Sequence, residues 1–141
     1  PNGVFHVDPS GNAGVMSTTQ WRTRGGEARL ATQSGPMLVV DGAINPNFDE
    51  GSDSLKVRSG VCARTPHDVV FAVSEAPVSF HAFARLFRDG IGCSDALYLD
   101  GTLSRLWTKA DGYSGASAMV AKPYAGMLAV FAEPAKATPA P

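Results

Sequence analysis

Glycine and proline place the tightest limit on how this chain folds, with 15 and 10 of them among 141 residues. Proline lacks a backbone donor and glycine admits turns that other residues resist, so this punctuation cuts the chain into short apolar runs. The most hydrophobic of them, MLVV at 37–40 and MLAVFA at 127–132, have the length of strands. Neither approaches the ~20 apolar residues of a membrane span.

Read in order, the runs predict a succession of strands. GVFHV (3–7) alternates and stops at the turn sequence DPSGN, and AGVMST returns beside it as a hairpin partner. Trp21 through Glu27 is polar and glycine-rich and reads as a loop. PMLVVDGAI reads as a strand, a turn at Asp41-Gly42 and the start of a next element, because glycine tolerates positive φ. NPNFDEGSDS is a surface loop by composition. LKVRSGVCAR and VVFAVS, joined by TPHD, form an antiparallel pair, and the nearly continuous apolar character of the second predicts a central position.

One helix is expected, Ser79 to Asp89. Phe80, Phe83, Ala84 and Phe87 recur at i, i+3, i+4 and i+7, the pattern of a single buried face. Ser79 is its N-cap and Gly90 or Gly92 its end. DALYLDG then returns as a strand, MLAVFA as another, and EPAKATPAP is a disordered Pro/Ala tail. The fold class predicted is α+β, a mostly antiparallel or mixed sheet with one main amphipathic helix packed on it. A chain of 141 residues suits one domain, placed at 1–132. The start at Pro1, with no initiator Met and no signal-peptide pattern, reads as the inside of a larger polypeptide.

Composition removes several classes of function. The 12 basic and 13 acidic residues are scattered singly and sum to −1. No basic stripe is present to displace counterions from a phosphate backbone, so nucleic acid is not an expected partner. No dinucleotide or nucleotide loop, zinc-protease motif or nucleophile elbow occurs, and no cofactor or metal is expected. Cys62 and Cys93 are too few for a disulfide framework. Two buried thiols are the favoured reading, because free cysteine is commonly buried, and a single disulfide is the alternative.

Candidate site residues are polar groups set inside apolar contexts. Thr32, Gln33, Ser34 and Gly35 lead directly into a hydrophobic strand. Arg58 lies in a strand-like run, where burial is expensive unless the guanidinium meets an anion or carboxylate. Asp100 ends a buried strand and is followed by Gly101, Thr102, Ser104 and Arg105. Arg and Asp at strand ends would supply a guanidinium fork for a phosphate and a carboxylate for acid/base or carbohydrate contacts. His6, near the end of the first strand, either points into a cleft or faces water. His67 and His81 read as surface histidines.

In this order, PNGVFHVD, ATQSGPMLVVDG, VRSGVCAR, VSFHAFARLFRDGIGCSDALYLDG and TLSRLW resemble the phosphodiester glycosidase family, most closely a bacterial branch. The resemblance covers Pro1 to Trp107 and corresponds to the C-terminal part of the family domain. It implies cleavage of a sugar-1-phosphodiester or related envelope glycan, releasing the sugar and leaving a phosphomonoester. It implies Arg58 and Asp100 as catalytic residues, with Gln33, Ser34, Gly35, Gly101, Thr102 and Ser104 contacting substrate, and His6 is carried as a further contact. Cys62 stands where the family usually has Gly, Thr102 replaces another Gly, and Arg105 replaces a small polar residue. The family's location implies a secreted or periplasmic protein, and its missing upstream segment is an expected partner as a separate chain. The competing expectation is a non-catalytic carbohydrate-binding or envelope-associated module, or an inactive fragment of such an enzyme.

Overall fold

The computed structural model describes residues 2–101, 103–115 and 126–132. Its first unit is a hairpin, β1 (Gly3–Val7) and β2 (Ala13–Ser17), with β3 (Leu30–Ser34) on the other side of β1. All pairings in this sheet are antiparallel. The hairpin turn is fixed by Asp8, whose two carboxylate oxygens accept from the backbone N–H (2.8 Å) and side-chain amide (3.0 Å) of Asn12.

The larger sheet has five strands in the order β5-β4-β8-β6-β7. These are β4 (Met37–Val40), β5 (Ala43–Ile44), β6 (Ser59–Thr65), β7 (Asp68–Val73) and β8 (Ala96–Asp100), every neighbour antiparallel. Asp41 and Gly42, at φ 49° and 78°, make the turn between β4 and β5. Positive φ at both central residues is what a two-residue hairpin with the native strand twist requires. β9 (Arg105–Thr108) and β10 (Gly112–Gly115) form a separate hairpin.

Two apolar clusters lie on opposite faces of the five-stranded sheet, as the period-2 alternation of a strand dictates. On one face Met37, Val61 and Leu97 meet Phe5 of β1, which seats the small sheet on the large one. On the other, Leu38, Cys62 and Ala96 meet Phe83, Ala84 and Phe87. These last belong to α2 (Phe80–Arg85) and to the π-helical turn that continues it, Leu86–Ile91. The expected stripe is the buried one, Ser79 caps the helix by accepting from the Ala82 N–H (3.1 Å), and Gly92 ends it at φ 83°. The chain is α+β with mostly antiparallel sheets, as its sequence predicts.

Five local expectations are corrected. Thr18–Arg24 is a helix, α1, where a loop was expected from Trp21 onward. Ser17 and Gln20 form a reciprocal capping box at its start, enough to nucleate a turn despite the glycines that follow. The apolar strand β7 lies at the sheet edge rather than the centre. Its residues alternate between the two clusters, Val69 and Phe71 on one face and Val70 and Ala72 on the other, so both faces demand apolar side chains. Cys62 and Cys93 are joined as a disulfide, not free thiols. Residues 127–132 form no strand, and Phe131 is 86% exposed. Asn45, at the head of the expected surface loop, is buried, with its side-chain amide donating to the Met37 carbonyl (2.9 Å). The tail from Glu133 lies outside the described residues.

Candidate functional site

Three of the segments singled out in the sequence meet at the end of the large sheet where β8 finishes. Gly60 pairs with Tyr98, yet Ser59 pairs with Asp100, so Leu99 is the extra residue of a β-bulge. A bulge bends its strand and re-aims the residues beside it. Here it precedes Asp100, whose side chain is exposed at the rim.

Asp100 is held by its own loop. One carboxylate oxygen accepts from the Gly101 N–H (2.7 Å) and the other from the Leu103 N–H (3.1 Å). The carbonyl of Asp100 accepts from the Ser104 hydroxyl (2.6 Å), and Ser59 Oγ lies 3.0 Å from Ser104 Oγ and 3.4 Å from that carbonyl. Ser104 is buried, so it fixes the loop from beneath. From the other side the Ser34 hydroxyl donates to the Leu99 carbonyl (3.1 Å), and the Tyr98 N–H to the Pro36 carbonyl (3.2 Å). Ser34, Gly35 and Pro36 therefore flank the strand that carries Asp100. Gln33, one residue earlier on β3, is exposed and pairs with Val4. Thr102 lies outside the described residues.

Arg58 sits beside this cluster but beneath it, only 1% exposed. Its backbone N–H donates to Ser74 Oγ (2.9 Å). Its Nε donates to the Val78 carbonyl and an Nη to the Ser54 carbonyl, both at 2.9 Å. The guanidinium carbon lies 3.6 Å from the centre of the Phe80 ring, which stacks on Phe48 with centroids 4.8 Å apart. A buried cation is tolerable only when its donors are satisfied, and two main-chain carbonyls and an aromatic face serve that need here.

Tyr98 was not among the sequence candidates, yet it stands between Arg58 and the Asp100 loop. Its ring centre is 5.6 Å from the Arg58 guanidinium carbon and meets the Phe80 ring edge-on at 4.8 Å. Its hydroxyl lies against Gly101, where a Cβ would run into it. Burial pushes the phenol above its ordinary ionisation range; the Arg58 charge and hydrogen bonding act downward and the Asp100 charge upward. The signal available in sequence was a phenol two residues before the strand-ending acid, a side chain that places a polar tip on an apolar body.

His6 is elsewhere. It is 6% exposed on β1, its ring tilted against Trp21 of α1 (centroids 5.0 Å apart), in a depression lined by Asp8, Asn12, Arg24 and Pro66. Its Nδ1 is buried without a hydrogen-bond partner among the described residues. Burial holds its pKa below the usual histidine value, Arg24 adds to that and Asp8 opposes it. Among the described residues no group of three or more His, Cys, Asp or Glu is placed to hold a metal ion, and no helix is long and apolar enough to cross a membrane.

Residues 1–131 match the phosphodiester glycosidase family, and the chain belongs to it. The chain is also similar to the uncharacterized protein YigE of Escherichia coli strain K12, 33% identical over 130 residues. That match takes in 92% of this chain and 49% of the relative, so the chain spans about half the length of the curated protein it matches.

Proposed function

We propose that this domain hydrolyses a sugar-1-phosphodiester or a related envelope glycan, with Asp100 at the scissile bond. In that reaction the bond from the anomeric carbon to the bridging oxygen breaks. Water supplies the hydroxyl to the sugar, and a proton goes to the departing phosphoryl oxygen. Asp100 serves the proton transfers, Ser34 and Ser104 hold the walls around it, and Arg58 supplies positive charge beneath the phosphate. The observation that carries the reading is the convergence of Ser34, Ser59, Asp100 and Ser104 through hydrogen bonds around one carbonyl-lined rim. Membership of the phosphodiester glycosidase family supports the substrate class.

Hydrolysis in ¹⁸O-labelled water tests the reading. Label recovered in the released sugar is the expected result, since the carbon–oxygen bond breaks. Label recovered only in the phosphate, or no turnover of any sugar phosphodiester, contradicts it. A second reading, glycan binding without turnover, draws on the commitment of two Arg58 donors to main-chain carbonyls. Saturable sugar binding with no released product would favour it.

A further inference from the structure

Arg58, a deeply buried cation beside the rim, is turned inward. Nε and one Nη of Arg58 are spent on the Val78 and Ser54 carbonyls, and its face covers Phe80. At 1% exposure the side chain offers no fork to a phosphate arriving from solvent. A bidentate guanidinium clamp needs two N–H groups aimed at the ligand, and here Nε and one Nη are aimed at main-chain carbonyls instead.

Tyr98 stands between that guanidinium and the Asp100 loop. It is half-buried, on the strand that delivers Asp100, with the guanidinium on one side and Gly101 on the other. Phe80 braces its ring edge-on. A phenol is both a hydrogen-bond donor and an acceptor, and a donor suits a non-bridging phosphoryl oxygen. Like any tyrosine it carries its proton at neutral pH, and burial moves its ionisation further upward. The missing Cβ of Gly101 leaves the hydroxyl room beside the Asp100 loop.

We propose that the Tyr98 hydroxyl, rather than the Arg58 guanidinium, donates to the substrate's phosphoryl group beside Asp100, and that Arg58 is a positioning residue acting through Tyr98. The proposal rests on the reading of the site as one for sugar phosphodiesters and names its phosphate contact. Tyr98 is then a substrate-contacting residue, and Arg58 tunes the phenol by charge and fixes the aromatic wall that holds it.

Titration calorimetry of the protein with a sugar-1-phosphate and with the corresponding free sugar provides the test, using Tyr98→Phe and Asp100→Asn. Tyr98→Phe is expected to weaken the sugar-1-phosphate about 10–100-fold, the scale of a hydrogen bond to a charged group, and to leave the free sugar unchanged. Unaltered sugar-1-phosphate affinity in Tyr98→Phe, with binding lost in Asp100→Asn, overturns the Tyr98 assignment and leaves the functional reading standing. No binding by the unaltered protein overturns both. Ultraviolet titration of the phenol separates positioning from mere support. Arg58→Met should move the Tyr98 ionisation to higher pH and Arg58→Lys should restore it, whereas an unmoved ionisation in Arg58→Met contradicts the role given to Arg58. If Arg58→Met does not fold, Arg58→Lys alone decides: weakened sugar-1-phosphate binding with a native-like phenol ionisation contradicts action through Tyr98.

Discussion

At the scale of single residues, the site is a case of polar groups held by backbone. Arg58 donates to two main-chain carbonyls and covers an aromatic ring. Removing it strands both acceptors in the interior. Arg58→Met is therefore expected to cost about 2 kcal/mol or more, since each buried unsatisfied group costs about 1–3 kcal/mol, read as a lowered urea midpoint. An unchanged midpoint would mean that water reaches those carbonyls. Gly101→Ala should cost about 1–3 kcal/mol by overpacking, because its Cβ meets the Tyr98 hydroxyl; a neutral effect would place that hydroxyl elsewhere. Asp100 was legible in sequence because an acid and a glycine close an apolar strand. Tyr98 was not, because within that strand an aromatic residue looks like any other member of the core. The partners of Arg58 were hidden for a different reason: Val78 and Phe80 come from 20 and 22 positions along the chain and approach only when α2 docks.

Elements show a similar division between what pattern reveals and what packing decides. The strands β1, β4, β6 and β8 and the Phe80-Phe83-Ala84-Phe87 stripe follow from periodicity, since one period selects one buried face. The helix α1 escaped because its signal is a cap and not an apolar stripe; none of its residues is fully buried. That makes Ser17 its chief local support. Ser17→Ala should cost about 1 kcal/mol and raise amide exchange over Thr18–Arg24 before any other segment. Protection that stays equal to the unaltered protein would show that Trp21, packed on His6, holds the helix without its cap. The edge position of β7 was also beyond pattern. An apolar edge strand and an apolar central strand read alike when both faces are covered.

In the whole molecule, two features outside the rim set stability. The Cys62–Cys93 disulfide ties β6 to the segment after the π-helical turn, across 31 positions. Closing a loop of that length stabilises the fold by ~3–4 kcal/mol in the chain-entropy view, so replacing both cysteines by alanine should lower the melting temperature by roughly 10 °C or more. His6 makes stability depend on pH. Its folded pKa lies below its unfolded value of about 6.5. Below that pH the unfolded chain takes up the proton more readily, so stability present above about pH 6.5 declines as pH falls toward the folded pKa. The drop in urea midpoint from pH 7.5 to pH 5 should be smaller in His6→Gln; an identical drop would assign the effect to other groups. Neither feature touches the rim, where Ser34, Ser59, Asp100 and Ser104 come together from three parts of the chain. The claim that this rim is a hydrolytic site is tested most directly by the rate at which Asp100→Asn releases sugar from a sugar-1-phosphodiester, measured beside its melting temperature. A loss of roughly 100-fold or more with the fold intact is expected, and an undiminished rate from a folded Asp100→Asn protein rules out a catalytic Asp100.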